Sequence, residues 1–196
     1  MKISKGGKLL ILGALLLVFD QTAKILVKTN MSLGQSFDVF SWFKICFIEN
    51  EGMAFGMKFG GVAGKYVLST FRVALFAVLT WWIYKLSKKP ETPTGVLVGL
   101  TLIDVGALGN IIDCLFYGLI FSASVFGGPV AEFGGSYAPF LQGRVVDMLY
   151  FPLIDTYIAG KHITFFDPVF NVADSCVTVG AFYLILFKWR FFKSLD

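Results

Sequence analysis

Four stretches of this chain, residues 9–27, 63–84, 95–116 and 172–189, are each apolar over about the 20 residues that a helix needs to cross a bilayer. No other feature limits the fold as strongly. Lipid offers no water, so a crossing segment must satisfy its own backbone hydrogen bonds, which a helix does and a lone strand does not. The expected architecture is an all-α integral membrane protein, a four-transmembrane-helix bundle. Composition agrees: 56% of the residues are hydrophobic and 15% are charged, against about 25% charged in soluble domains. The first stretch, behind the basic leader "MKISKGGK", looks like an export signal, but "DQTAKILV" follows where small residues would mark a cleavage site. It is expected to remain as an anchor.

Orientation follows from the basic residues, which are enriched in short cytoplasmic loops. Of the 17 lysines and arginines, Lys2, Lys5 and Lys8 precede the first span, Lys85, Lys88 and Lys89 link the second and third, and Lys188, Arg190 and Lys193 close the fourth. Both termini are therefore expected in the cytoplasm, with Trp81, Trp82, Tyr84 and Trp189 as interfacial anchors. The net charge of +4 is a topology signal, and no nucleic-acid partner is expected. Cys46, Cys114 and Cys176 are odd in number and lack CxxC spacing, so neither a disulfide framework nor a metal site is indicated.

Two segments lie outside, residues 28–62 and 117–170. The first contains "FDVFSWFKICFIENEGMAFG", dense in aromatic and β-branched residues ahead of an Asn/Glu/Gly cluster, which suggests strands joined by a turn. A small β-rich platform on the outer membrane surface is expected. The second opens with "YGLIFSASVFGGPVAEFGGSYAPF", too broken by Gly and Pro for a fifth span. Its remainder, "GRVVDMLYFPLIDTYIAGKHITFFDPVF", is apolar with polar residues spaced along it, as in a segment lying in the interface. No repeat divides the chain, and residues 1–196 are expected to form one domain.

The costly residues are the polar ones near span ends. Asp20 and Lys24 are four apart and can pair on one helix face. Asn110 and Asp113, and again Asn171 and Asp174, are three apart and share a face. Each pair alone could be structural, a neutralised pair or a helix-to-helix hydrogen bonder. All of them converge at one depth, where polar groups mark function by default. Serine hydrolysis is not supported, because His162 is the only histidine, is expected in a loop, and no GxSxG elbow exists. An HExxH metal motif is also absent. Carboxylates remain: two held together share a proton, one acting as base on water while the other donates to a carbonyl. Asp174, in the first turn of its helix where negative charge is favoured, is one candidate. Its partner could be Asp113, Asp147, Asp155 or Asp167. A small proton- or ion-coupled transporter uses such acids differently and stands as the alternative, with a structural scaffold as a third reading.

The motifs "DQTAK" (20–24), "NEGMAFG" (50–56), "GALGNIID" (106–113), "GRVVDM" (143–148) and "FNVADS" (170–175) together resemble the bacterial lipoprotein signal peptidase family. That resemblance implies an intramembrane aspartic endopeptidase of the bacterial inner membrane, active near the outer surface. It removes the signal peptide before the diacylglyceryl-modified cysteine of a prolipoprotein. Lipidated prolipoproteins and membrane lipids are the implied partners, with no cofactor and a monomeric state. By position Asp147 and Asp174 match the catalytic pair. Asp20, Lys24, Asn50, Gly52, Asn110, Asp113 and Asn171 match supporting positions. The family usually has an arginine after the aspartate of "GNxxD", where this chain has Cys114; Arg144 is expected to supply the missing cation. Asp104 and Arg72 fall inside spans, where an isolated charge costs roughly 2.5–3.5 kcal/mol; a pairing between them would offset that cost, but the sequence holds no evidence for the contact. The Gly-rich second segment looks longer than in the family, and the resemblance assigns it no role.

Overall fold

The computed structural model describes residues 3–51, 61–152, 154–158, 161–165 and 168–193, and only the backbone of 154–158 and 161–165. Its elements in chain order are α1 (Lys5–Asn30), β1 (Ser36–Phe40), β2 (Phe43–Asn50), α2 (Gly61–Ser87), α3 (Thr94–Ile112), α4 (Gly118–Ile120), β3 (Val145–Tyr150), β4 (Ile154–Ile158), β5 (Lys161–Phe165), β6 (Val169–Phe170), α5 (Val172–Tyr183) and α6 (Trp189–Lys193). A π-helical turn, Asp113–Tyr117, joins α3 to α4, and a second, Leu184–Lys188, joins α5 to α6. Four helical runs are long and apolar enough to cross a membrane: Lys5–Asn30, Gly61–Ser87, Thr94–Ile120 and Val172–Lys193. Each outruns its apolar stretch by a few residues, because helical hydrogen bonding continues into the polar ends where hydropathy has already fallen.

α3 is the central span, packed against α1, α2 and α5. α1 and α2 instead turn large apolar residues outward, among them Leu10, Leu15, Val18, Val67 and Leu75. That is the polarity expected of helices with lipid for a solvent. α3 and α5 touch closely because Gly106 and Gly109 lack side chains. A Cβ on Gly106 would sit 2.3 Å from the Ala173 carbonyl oxygen, and one on Gly109 would sit 3.0 Å from the Ala173 Cβ and 2.6 Å from Asp20 Oδ2 of α1. Small residues at such crossings let backbones approach.

One end of the bundle gathers the three basic segments. Lys5 Nζ donates to the Pro90 carbonyl at 3.3 Å, and Trp82 meets Phe192 with ring centroids 6.1 Å apart. Lys85 lies 4.0 Å over the Trp81 ring and Lys88 5.0 Å over Tyr84, so the anchor aromatics double as cation platforms.

The opposite end carries a four-stranded antiparallel sheet in the order β1-β2-β3-β6, and β4 pairs with β5 in a separate hairpin. Strands β1 and β2 lie where the sequence suggests them. Strand β3 is a correction, since "VVDMLY" is a sheet strand and not merely an interfacial segment. Its first four residues are all buried, so it lacks the alternation that marks a half-buried strand. His162, expected in a loop, lies on β5. Phe43, Phe151 and Phe170 stack in a row, with centroids 4.7 Å and 5.6 Å apart.

Residues 121–143 fold without regular structure over the C-terminal end of α1. Gly127 N–H donates to the Leu33 carbonyl at 3.0 Å, and Phe121 bridges to Phe133. The stretch leaves through Leu141, which has a φ of 69°. That left-handed conformation costs a non-glycine residue roughly 1–2 kcal/mol. α2 holds it there: Ser69 Oγ donates to the Leu141 carbonyl at 3.0 Å and Lys65 Nζ to the Gln142 carbonyl at 2.9 Å. Gly143 then presses its backbone on the π turn, donating to the Cys114 carbonyl at 2.9 Å. A Cβ there would lie 2.1 Å from the Asp113 carbonyl oxygen.

Candidate active site

α5 begins at an asparagine cap. Asn171 has extended backbone, and its Oδ1 accepts from the Asp174 N–H at 2.8 Å, satisfying one of the donors that a helix start leaves unpaired. Its Nδ2 is therefore turned away from the helix. It donates to Asp147 Oδ1 at 2.6 Å and also lies 3.1 Å from Asn110 Oδ1. One amide thus caps the helix that carries Asp174 while holding the strand residue Asp147. A second donor of the same helix start, Ala173 N–H, is taken by Asp20 Oδ1 at 2.8 Å, which places a carboxylate at the positive end of α5.

Asn110 on α3 completes the link, its Nδ2 donating to Asp174 Oδ1 at 2.7 Å. Its Oδ1 accepts from Lys24 Nζ at 2.9 Å. That lysine is fully buried, and its other two protons go to Asp20 Oδ2 at 3.0 Å and Asp113 Oδ2 at 2.8 Å. All three ammonium donors are used, as a buried lysine requires. Asp113 reaches back to β3, where its Oδ2 accepts from Val146 N–H at 3.3 Å. The hydrogen-bonded path Asp174–Asn110–Asn171–Asp147 gathers the two carboxylates from a helix and a strand.

Asp147 is 3% exposed, and Asn50 Nδ2 donates to its Oδ2 at 3.3 Å. Burial, followed by the negative charge of Asp174, pushes its carboxyl well above the ordinary carboxylate range, to about 7. Near neutrality Asp147 thus retains a proton for much of the time, while Asp174 lies beside it on a partly exposed helix turn. Such a pair can divide the work of acid and base.

The structure brings together Asp20, Lys24, Asn50, Asn110, Asp113, Asp147, Asn171 and Asp174. Gly52 lies outside the described residues, as do Asp167 and the side chain of Asp155. Arg144 is carried toward Glu51 by the register that sets Val145 opposite Asn50. Its guanidinium pairs with Glu49 at 3.3 Å and Glu51 at 3.4 Å. The arginine that reaches the Cys114 thiol is Arg72, from α2. Asp104 is held by Thr80, whose Oγ1 donates at 3.0 Å. Arg72 stands eight residues (80 − 72) from Thr80 along α2, about 12 Å of helix rise. Asp104 therefore takes its hydrogen bond from Thr80.

Sequence reasoning passed over Gln21. Its Nε2 lies 3.1 Å from Asp20 Oδ2, 3.1 Å from the Gly109 carbonyl and 3.0 Å from Asp113 Oδ1, tying α1 to α3. Its place beside Asp20 in "DQTAK" was the available signal. An apolar groove of about 480 Å³ is lined by Phe19, Ala23 and Leu26 of α1, Phe37 and Ile45 of the sheet, and Met148, which follows Asp147 on β3. Among the described residues no three of His, Cys, Asp and Glu are grouped as a metal ligand set.

Comparison with known proteins agrees with this geometry. A family model described as "Signal peptidase (SPase) II" matches residues 12–190. A lipoprotein signal peptidase of Porphyromonas gingivalis is 44% identical over 195 residues, covering 94% of this chain and 84% of that protein. One from Amoebophilus asiaticus is 34% identical, covering 89% and 74%. Two solved structures titled as bacterial membrane enzymes superpose with TM-scores of 0.61 and 0.60 at 25% and 26% identity, covering 92% and 93% of this chain and 86% and 94% of theirs. Neither the matched family nor these relatives lend support to the transporter alternative. With a family model spanning nearly the whole chain around two linked aspartates, the protein belongs to the signal peptidase II family of aspartic peptidases.

Proposed function

We propose that this chain removes signal peptides from lipidated prolipoproteins, cutting before the diacylglyceryl-modified cysteine with Asp147 and Asp174 as the catalytic pair. The observation that carries the assignment is the hydrogen-bonded path through Asn110 and Asn171 that joins these two carboxylates. Asp174 takes a proton from a water molecule as its oxygen attacks the scissile carbonyl carbon. Asp147 gives its proton to the carbonyl oxygen, forming a gem-diol. Collapse then re-forms a carbonyl, returns one hydroxyl proton to Asp147, and moves the proton on Asp174 to the departing amine. Lys24, Asp20, Asp113, Asn50 and Asn171 hold these groups in place, so little reorganisation is needed during the reaction.

The apolar groove supports the lipid part of the reading, being walled by side chains that suit acyl chains and lying beside Met148. The gathering of basic segments at the end of the bundle away from the sheet supports a topology with both termini cytoplasmic and the dyad near the outer face of a bacterial inner membrane. One peptidase domain acting as a monomer is sufficient, since every group in the scheme comes from one chain. The decisive experiment incubates the purified protein with a diacylglyceryl-modified precursor and with its unlipidated form. A shortened product from the first alone is expected. No product from either, or equal cutting of both, rejects the proposal.

A further inference from the structure

The polar ladder on α1 continues one turn beyond Lys24. Lys28 is fully buried, with 0% of its surface exposed. Its Nζ pairs with Glu49, donates to Ser124 Oγ at 2.8 Å, and lies 5.0 Å, 5.4 Å and 6.0 Å from the rings of Tyr137, Phe121 and Phe47. A buried ammonium needs such compensation. The hydroxyl and two of the three rings come from residues 121–143, the Gly-rich stretch to which the family likeness gives no role.

The place of this node matters more than its existence. Glu49 directly precedes Asn50, the donor to Asp147 Oδ2, and stands opposite Val146 in the β2–β3 register. The same stretch also grips the other strand, since Tyr137 Oη accepts from Arg144 N–H at 2.7 Å, three residues before Asp147. Glu49 and Arg144 are themselves paired. Both strands that meet at Asp147 are thus fastened to α1 through one cation.

We propose that Lys28 is a positioning residue for the reaction: through Glu49 it fixes β2 so that Asn50 stays on Asp147, as Lys24 through Asn110 serves Asp174. The Gly-rich stretch is then the housing that makes a buried lysine tolerable at that spot. This inference rests on the dyad assignment above.

The test separates positioning from stability by removing both charges together. Lys28→Met alone strands Glu49 without its buried partner and is expected to lower the thermal midpoint. The double variant K28M/E49Q removes the pair, while the one amide oxygen introduced by E49Q can still accept from Ser124, so the midpoint is expected to recover in large part. Its kcat on a lipidated precursor is expected to stay about 10- to 100-fold low with KM unchanged, the scale of loss from a displacement near 1 Å. Wild-type kcat in the folded double variant overturns the proposal. So does a loss confined to KM, or one that merely follows the fraction of unfolded protein. Asp147→Asn measured alongside keeps the two readings apart: if it is inactive while the double variant is not, only the role of Lys28 falls, and if it is active the dyad itself is wrong.

Discussion

At the basic end of the bundle Leu9, Leu86, Val96, Leu97, Leu100 and Leu184 pack together with no ionisable side chain among them. At the other end Asp20, Lys24, Lys28, Asp113, Asp147 and Asn171 are buried to a similar depth. Leucines fill space without preferring one partner, so the first core tolerates small shifts and serves to hold α1, α2, α3 and α5 together. A buried charge tolerates no such freedom, because every lost partner leaves a desolvated group. The site end therefore exchanges packing energy for fixed direction, and direction is what a pair of catalytic acids needs.

That contrast can be broken most forcefully at the dyad. Asp147→Asn or Asp174→Asn is expected to lower cleavage of a lipidated precursor on the order of 10² to 10⁴-fold while leaving the thermal midpoint in detergent near wild type. Lys24→Met is expected to act the other way round first. It leaves Asp20 and Asp113 buried without their shared cation, costing about 3–5 kcal/mol in an unfolding titration, and activity falls with the fold. Leu97→Ala, in the leucine core, is expected to cost about 2–3 kcal/mol with kcat of the folded enzyme unchanged. A fall in kcat at matched folding would show that the two ends are not independent.

The pH profile sharpens the comparison without a mutation. Because Asp147 is held protonated up to about 7, its acid form is present below that value and is lost as pH rises through it. kcat is expected to decline on the alkaline side by about tenfold per pH unit once past the apparent value of the pair. A rate that stays level across neutrality into alkali would remove Asp147 as the acid. The smallest effect is expected at Thr80→Ala. It deletes a hydrogen bond to Asp104 that faces away from both cores and averages about 0.6 kcal/mol in such settings, with cleavage intact.

Much of this was legible before any coordinates. Apolar length is a direct readout of membrane crossing, so the four spans stood out. The i, i+3 and i, i+4 spacings put Asp20, Lys24, Asn110, Asp113, Asn171 and Asp174 on helix faces, and they do meet. What periodicity could not reach was contact between elements far apart in sequence. Asp147 lies on a strand buried on both faces, which reads as a plain apolar run. Arg72 and Asp104 looked like partners because both are charged and intramembrane, yet antiparallel packing of α2 on α3 sets them at different heights. Arg144 suggested itself by its place three residues before Asp147, and only strand register reveals its partners, Glu49 and Glu51. Lys28, at the same spacing from Lys24 as Lys24 from Asp20, was within reach of the same rule.

The double duty of Asn171 links folding to chemistry. Its oxygen helps to wind the start of the last span and its nitrogen seats the strand aspartate, so under the proposed assignment the cutting machinery is armed only when the final quarter of the chain is in place. On that assignment a half-inserted enzyme, still threading into its membrane, has no blade to turn on its neighbours.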